Sequence, residues 1–391
     1  MKLKPSQAEQ ELQQEIRAFL AREGSTPADL PHALDERMEV LRRWQASCYE
    51  AGYVGRAWPE HFGGGGRPAV EQILVDQELA AAGAPEFVNV VGLDVLGPSL
   101  LRFGTDEQRR RYIPTILSAE EIWCQGFSEP EAGSDLAALR TRAAEHDGHF
   151  VLSGQKTWVS WGQFASWCGV LARTDEDASR HRGVSMLIVD MRSPGIEVRP
   201  MRQITGHAEF CELFFDDVVV PVENLLSERG DGWKIAMHTL GHERGTAALP
   251  RQVKLRTWLD RAVRVAMDRK LGGRPLMADP QAQIELAQAF IAIEVLRHHA
   301  YRTVGEFLSG GAVGPDSSTV KLLMAEAEQR LAATALELLA PTLQHADPAE
   351  VTDNEFWYET YLYSRAASVY GGPQQIQRNI IADRVLALPQ D

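Results

Sequence analysis

The chain has 391 residues, of which 44% are hydrophobic and 24% charged, a composition typical of a globular protein with two or three domains. Its net charge of -14 disfavours nonspecific binding to nucleic acid or to an anionic membrane, so an anionic ligand needs locally placed arginines. The four cysteines are far apart, and the chain has neither an apolar signal sequence nor a membrane-length apolar run, which predicts a cytoplasmic protein.

The N-terminal part of the chain, residues 1–121, has the apolar spacing of a helical domain. Its first helix is indicated by apolar residues that share one helical face: Leu12, Ile16, Phe19 and Leu20. A glycine-rich loop at residues 58–66 interrupts this pattern. Further helices are predicted over residues 70–82 and 105–117.

The middle part, residues 122–229, has the pattern of short β-strands. Runs of β-branched and aromatic residues at 184–190 and 213–215 predict strands, and an Asp-Gly pair at 147–148 predicts a tight turn. Strands in this part are not separated by helical segments. We therefore expect a small antiparallel sheet rather than alternating βαβ units.

The C-terminal part, residues 230–391, returns to helical spacing. One helix is predicted over residues 320–339, and Pro341 is expected to end it. The adjacent His298 and His299 lack the spacing of metal ligands, so no metal site is predicted. The order helical, β, helical predicts an α+β protein with segregated domains.

Residues 125–136 (QGFSEPEAGSDL) form the most specific segment of the middle part. Two serines, a proline and a glycine are brought together in one short bend. Such a bend can direct backbone N–H groups and hydroxyls at a phosphate or a ring carbonyl, or it can be a plain capped turn. From these residues alone, the two interpretations are about equally favoured.

Five segments, in chain order, resemble the signatures of the acyl-CoA dehydrogenase family. They are residues 125–136, 154–160 (GQKTWVS), 209–221, 269–276 and 370–379 (YGGPQQIQRN). The chain is especially similar to bacterial pimeloyl-CoA dehydrogenase-like large subunits around its first two signatures.

This resemblance implies the acyl-CoA dehydrogenase fold, which has three domains. They are an N-terminal helical domain (1–121), a middle antiparallel β domain (122–229) and a C-terminal four-helix bundle (230–391). It also implies the α,β-desaturation of an acyl-CoA to a trans-2-enoyl-CoA. The cofactor implied is FAD, and the electrons are expected to pass to an electron-transfer flavoprotein.

The resemblance also assigns residues to the flavin site of the β domain. Phe127, Ser128 and Ser134 are expected to line the flavin and the adjacent pantetheine and phosphate groups, so Ser134 also meets the substrate. Trp158 is expected to pack against the flavin ring, and Ser160 to hydrogen-bond near the reactive N5. A flat aromatic side chain and a short hydroxyl suit an apolar ring with one polar edge. Without the family context, core filling by Trp158 is as good an interpretation.

The catalytic base has to be found away from the C-terminal signature, because Gly371 stands where some members carry the glutamate. Other members carry it on a helix of the C-terminal domain, which here makes Glu243 the candidate base. One stripe of that helix is predicted to be Trp233, Met237, Leu240, Arg244 and Ala247. Arg244 in that apolar stripe requires an anionic partner, which the resemblance implies is a CoA phosphate. The thioester oxygen is expected to accept from the N–H of Gly371 or Gly372.

Several residues depart from the family pattern where FAD is shared between subunits. Arg269 is expected to reach the pyrophosphate of a partner's FAD, or else to be a solvated arginine at a helix end. Residues 336–341 lack the usual glutamine and glycine pair, Gly272 replaces an aromatic, and Pro373 replaces a threonine. These departures allow a homodimer or homotetramer with fewer FAD contacts, or a hetero-oligomer whose second subunit supplies the missing groups.

Two functions from other classes compete with the dehydrogenase. A flavin monooxygenase or oxidase on the same fold would use O₂ and would not need Glu243. A non-catalytic partner subunit of a hetero-oligomeric dehydrogenase would bind no flavin, and the purified chain would be colourless.

Overall fold

A computed structural model describes residues 6–23, 30–31, 33–175, 177–178, 180–246, 248–308, 314–340 and 351–389 of the chain, with the side chains of 242–246, 307–308 and 351–353 outside that description. Before the sheet, this part of the chain forms the helices α1 (Gln7–Glu23), α2 (Leu34–Glu50), α3 (Ala69–Ala81), α4 (Gly97–Phe103) and α5 (Asp106–Leu117).

The N-terminal helices form where their spacing predicts them. Leu12, Ile16 and Phe19 are buried on one face of α1, and Leu20 beside them is half-buried. α5 begins at a capping box in which the Thr105 hydroxyl accepts from the N–H of Gln108, whose side chain accepts from the N–H of Thr105. The helices predicted over residues 70–82 and 105–117 are therefore confirmed.

The middle of the chain forms one sheet. Its strands are β1 (Trp123–Gly126), β2 (Arg142–His146), β3 (His149–Ser160), β4 (Trp167–Arg173), β5 (Val184–Asp190), β6 (Ile196–Met201), β7 (Phe210–Pro221) and β8 (Leu225–Leu226). The order is β6-β7-β3-β2-β4-β5-β8, with β1 beside β4. The predicted antiparallel domain is confirmed with two exceptions, since β1 with β4 and β2 with β4 pair in parallel.

The sheet is held by a core of β-branched and aliphatic residues from its central strands. Every residue of β4 and β5 is buried except the last of each strand. Asp147 and Gly148, with φ of 39° and 83°, make the tight turn that joins β2 to β3. The predicted strand at 184–190 coincides with β5, so both predictions are confirmed.

Where the structure describes it, the C-terminal part is helical apart from a short hairpin. Its elements are α6 (Gly232–Thr246), α7 (Ala248–Asp268), β9 (Lys270–Leu271), β10 (Arg274–Pro275), α8 (Pro280–Leu308), α9 (Ser317–Leu339), α10 (Val351–Ser364) and α11 (Gln374–Ile380). Helices α7 to α10 share a core that includes Leu259, Leu296, Leu331 and Trp357. α9 ends where predicted, although Pro341, which was expected to end it, lies outside the described residues.

The chain divides into two compact units, each made of segments distant in sequence. One comprises Met1–Arg22, Ile73–Ala84 and Arg244–Asp391, and the other Glu23–Gln72 and Pro85–Glu243. Because these units follow spatial contacts rather than chain order, the boundaries 1–121, 122–229 and 230–391 stay a prediction. Among the helices that the structure describes, none combines the length and apolarity needed to cross a bilayer.

An ion pair between α5 and the segment before β1 has a defined pH dependence. Arg111 donates to both carboxylate oxygens of Glu121 at 2.7 Å, and Thr115 donates to one of them at 2.7 Å. Burial alone would raise the pKa of Glu121, but these hydrogen bonds lower it from 4.5 to about 2. The pair therefore contributes stability above pH 4.5 and loses that contribution as the pH falls towards 2.

We predict that Glu121→Gln lowers the free energy of unfolding by about 1 kcal/mol at neutral pH, since one charge-assisted bidentate contact is lost. The difference from wild type should shrink as the pH falls below 4.5, because the wild-type carboxyl then takes up its proton. Urea unfolding at several pH values measures it, with the exposed neighbour Glu120→Gln as the control. A difference that does not change with pH would contradict the assignment.

Candidate active site

Trp158 stands on an irregularity in β3. Lys156 pairs with Leu213 of β7 and Val159 with Cys211, so Thr157 and Trp158 together face a single residue of β7. At this bulge Trp158 has a left-handed φ of 58°, which is strained for a bulky residue. Its indole is 59% exposed and meets the ring of Phe210 edge-on at 6.0 Å between centroids. This exposure excludes simple core filling.

The bend at residues 125–136 is attached to this bulge. The N–H of Thr157 donates to the carbonyl oxygen of Ser128 at 3.0 Å. Ser128 and Ser160 are half-buried, whereas the side chain of Phe127 is only 5% exposed and belongs mainly to the interior. The structure thus joins Ser128 to Thr157, the residue before Trp158, while Phe127, which is expected to contact the flavin, has little accessible side chain.

Ser134 lies further along the same bend and is exposed. It follows a small bridge in which Glu129 and Ala132 exchange backbone hydrogen bonds at 3.1 Å. Its predicted contact with the pantetheine and phosphate groups stays a prediction. No contact in the described chain brings it onto Trp158.

A buried ion pair lies beneath these segments, and the sequence analysis missed it. The ammonium of Lys156 donates to Glu129 at 2.8 Å and to the carbonyl oxygen of Phe127 at 3.1 Å. Glu129 also accepts from the backbone N–H of Arg140 at 2.6 Å and of Thr141 at 2.9 Å. One network therefore holds the bend and β3 together immediately before Trp158.

Burial and ion pairing have opposite effects on the pKa of each member of this pair. Burial lowers the pKa of Lys156 to about 8, although the negative charge of Glu129 opposes that change. For Glu129, burial would raise the pKa, but the charge of Lys156 holds it below its ordinary value. The signal in the sequence was the alternation in β3, which puts Lys156 on the same face as buried Phe150 and Leu152.

The proposed base lies on α6, and its side chain is outside the described residues. Both Glu243 and Arg244 are within the helical backbone of α6, but no contact of either side chain is described. Their predicted roles in proton abstraction and phosphate binding therefore stay predictions.

The packed face of α6 differs from the predicted apolar stripe. Among the described side chains, the buried ones are Ile235, Ala236 and Thr239, and Thr239 shares a hydrogen bond of 2.8 Å with Ser99. Trp233 and Leu240 are only half-buried, and Met237 is exposed. The described part of the predicted stripe is therefore not the most buried face of α6, and the burial of Arg244 within that stripe stays a prediction.

The C-terminal signature forms a tight turn of two glycines. Gly371 and Gly372 have φ of 63° and 94°, in the region that favours glycine. The side-chain amide of Gln377 donates to both of their carbonyl oxygens at 3.1 Å. Pro373 follows with φ of -65° and ψ of 159° as the residue that precedes α11. Proline suits this position, because its fixed φ is the observed one.

Arg269 is not the solvated arginine that one interpretation of the sequence expected. It is 6% exposed and donates to the side-chain oxygen of Asn354 on α10 at 2.8 Å. The hairpin that follows turns at Gly272 and Gly273, both with positive φ. The expected contact with a partner's FAD stays a prediction.

Comparison with known proteins gives a consistent result over the whole chain. Acyl-CoA dehydrogenase family models match residues 6–120 (N-terminal domain), 124–218 (middle domain) and 230–386 (C-terminal domain). Acyl-CoA dehydrogenase IpdE1 of Mycobacterium tuberculosis is 39% identical over 361 residues, which cover 91% of this chain and 90% of that relative.

Two solved structures are similar over their full length. The Tcur3481-Tcur3483 steroid ACAD matches with a TM-score of 0.86 and 27% identity, covering 100% of both chains. The ChsE4-ChsE5 complex from Mycobacterium tuberculosis matches with a TM-score of 0.85 and 29% identity, again covering 100% of both. The chain therefore belongs to the acyl-CoA dehydrogenase family. It is an oxidoreductase that acts on the CH–CH group of acyl-CoA.

Proposed function

We propose that the chain is an FAD-dependent dehydrogenase that converts an acyl-CoA to a trans-2-enoyl-CoA. The observation that carries this proposal is Trp158, a large aromatic side chain held 59% exposed on a strained bulge. Backbone strain of this kind persists where the surrounding structure enforces it, commonly at ligand sites. Here the enforcement comes from β7 on one side and from the buried pair of Lys156 and Glu129 on the other.

The residues around Trp158 fit a flavin. The exposed indole offers a flat apolar face, and the half-buried Ser128 and Ser160 offer hydroxyls beside it. Bound FAD would supply the acceptor for the hydride that leaves the β-carbon of the substrate. Trp158 would hold the ring in place, and Ser160 would donate to its polar edge.

The proton chemistry is assigned to the C-terminal part of the chain. Glu243 would take the α-proton of the thioester, because Gly371 has no side chain to do so. The amide of Gly371 or Gly372 would donate to the thioester oxygen as negative charge develops there. Arg244 would bind a phosphate of CoA, and Ser134 would meet the pantetheine and phosphate region.

We propose an electron-transfer flavoprotein as the oxidant of the reduced enzyme. The competing function is an oxidase or monooxygenase, for which O₂ is the oxidant. Rapid O₂ consumption during turnover without an artificial acceptor would favour that competitor. We propose a cytoplasmic location for this chain, which its four free, buried cysteines support.

We further propose that the enzyme is an oligomer of acyl-CoA dehydrogenase subunits. A homodimer or homotetramer predicts one flavin for every chain. A hetero-oligomer predicts that this chain alone binds less than one, and the naming of the ChsE4-ChsE5 relative as a complex supports that arrangement. Native mass together with the ratio of flavin to protein distinguishes the two.

The experiment that tests the proposed function is an absorbance spectrum of the purified chain. We expect an oxidised flavin band at about 450 nm that bleaches anaerobically when the right acyl-CoA is added. The panel should include straight-chain, dicarboxylate and polycyclic acyl groups, the last because one relative is described as a steroid ACAD. A colourless protein that does not take up added FAD would favour the non-catalytic subunit instead.

A further inference from the structure

One buried side chain forms hydrogen bonds to the two-glycine turn of the C-terminal signature. Gln377 is fully buried, and its amide nitrogen lies 3.1 Å from the carbonyl oxygens of both Gly371 and Gly372. Because both neighbours are acceptors, the contacting atom has to be the nitrogen rather than the oxygen of the amide. The orientation of Gln377 is therefore set by the turn itself.

The conformation of the turn and its closeness to Gln377 both favour glycine at position 372. A Cβ atom there would lie 2.4 Å from the amide nitrogen of Gln377, and the φ of 94° is strained for any other residue. The glycine and the glutamine thus form one structural unit across a single turn of chain.

Gln377 also determines where the amide hydrogens of the turn point. In a planar trans peptide the C=O and N–H are directed oppositely, so fixing the carbonyl of Gly371 towards Gln377 directs the N–H of Gly372 away from it. The next peptide nitrogen belongs to Pro373 and carries no hydrogen. Within the described chain, the N–H groups of Gly371 and Gly372 donate to no other residue.

The neighbouring segment is anchored separately, by α9. Lys321 donates to the carbonyl oxygen of Ala367 at 2.9 Å and lies 3.9 Å from the ring centre of Tyr370. Gln329 donates to the carbonyl oxygen of Ser364 at 2.9 Å. These contacts hold the chain that leads into the turn, whereas Gln377 contacts the glycine carbonyls themselves.

The two ends of the Gln377 amide differ in how they are satisfied. Its side-chain oxygen is buried and has no hydrogen-bond partner among the residues that the structure describes. An orphaned buried acceptor is destabilising, and an apolar side chain of similar length would avoid it. A donor directed at two carbonyls is therefore the property that distinguishes glutamine from such a side chain here.

We propose that Gln377 is a positioning residue that orients the amides of the glycine turn towards the thioester oxygen. It acts directly on the N–H of Gly372 and, through the conformation of the same turn, on the N–H of Gly371. This inference rests on the proposed dehydrogenase function, which makes the turn the donor to the developing oxyanion. Gln377 would not touch the substrate.

The test uses Gln377→Met in the full-length protein, because methionine keeps the length of the side chain and removes its donor. A 3-oxoacyl-CoA, whose acidic C2 proton is lost to give an absorbing enolate, reports oxyanion stabilisation without turnover. We expect the pKa of the bound analogue to rise by about one to two units, a 10- to 100-fold loss of stabilisation. The melting temperature should stay within about 4 °C of wild type.

Gln329→Met is the matched control, since it removes the same kind of amide from a carbonyl that precedes the turn. It should leave the pKa of the bound analogue unchanged. If Gln377→Met does not fold, Gln377→Asn, whose amide ends one methylene short of the carbonyls, should give the same rise.

The proposal would be overturned if the bound analogue has the same pKa in Gln377→Met as in wild type. It would also be overturned if Gln377→Met and Gln329→Met raise that pKa equally. The proposed function would survive either result, provided that acyl-CoA bleaches the wild-type flavin. A wild-type protein that neither binds flavin nor ionises the analogue would contradict both.

Discussion

Glu243→Gln is expected to retain FAD and to lose the desaturation step. The variant keeps the size and polarity of the side chain but has no carboxylate to accept the α-proton. Since general base catalysis contributes about 10²- to 10⁴-fold, the rate of flavin bleaching by acyl-CoA should fall at least 100-fold. Anaerobic stopped-flow absorbance measures the step directly, apart from later electron transfer.

The matched control for this prediction is Glu228→Gln. Glu228 is exposed and precedes α6, so it has the same chemistry without a proposed role. It should bleach at the wild-type rate. A Glu243→Gln variant that keeps its flavin and bleaches near-normally would mean that another group is the base, and Gly371 cannot be that group because it lacks a side chain.

The order of structural elements could be predicted from the sequence because its signals are local. The spacing of Leu12, Ile16 and Phe19 is set within one helix, and the turn at Asp147 and Gly148 is set by two residues. Both therefore appear where expected. The parallel pairing of β1 with β4 is different, because it joins strands about forty residues apart.

The roles of the candidate site residues stay predictions, and the geometry at Trp158 could not be predicted from the sequence. Trp158 was identified by its motif, yet its left-handed backbone depends on how β3 pairs with β7, a segment far along the chain. No glycine marks that position in the sequence. The burial of Lys156 in the same motif could not be predicted, because its partner Glu129 comes from the bend, a separate segment of the chain.

The face of α6 shows a related limit of helical patterns. Trp233, Met237 and Leu240 form the more hydrophobic stripe, yet Ile235, Ala236 and Thr239 are the residues that pack. Small residues allow close approach of neighbouring chain, and Thr239 satisfies its hydroxyl by bonding Ser99. The hydrophobic pattern of a helix therefore does not show which of its faces packs against the rest of the chain.

Lys156→Met should have the largest effect on stability, lowering the free energy of unfolding by about 3–5 kcal/mol. The substitution leaves the carboxylate of Glu129 buried without its cation, and it also removes the donor to the carbonyl oxygen of Phe127. Urea unfolding with and without FAD measures the loss. The affinity for FAD should fall as well, because Ser128 and Trp158 are held through this pair.

The control for this prediction is Lys234→Met, which breaks an ion pair with Asp231 in which the lysine side chain is 63% exposed. An exposed pair contributes less than about 1 kcal/mol, so the two lysines should differ several-fold in their effect on the free energy of unfolding. Adding Glu129→Gln to Lys156→Met should recover part of the loss, since the unpaired charge is then removed while one oxygen still accepts from Thr141. Equal costs for Lys156→Met and Lys234→Met would mean that water reaches the pair, and the rigid support proposed for Trp158 would then be wrong.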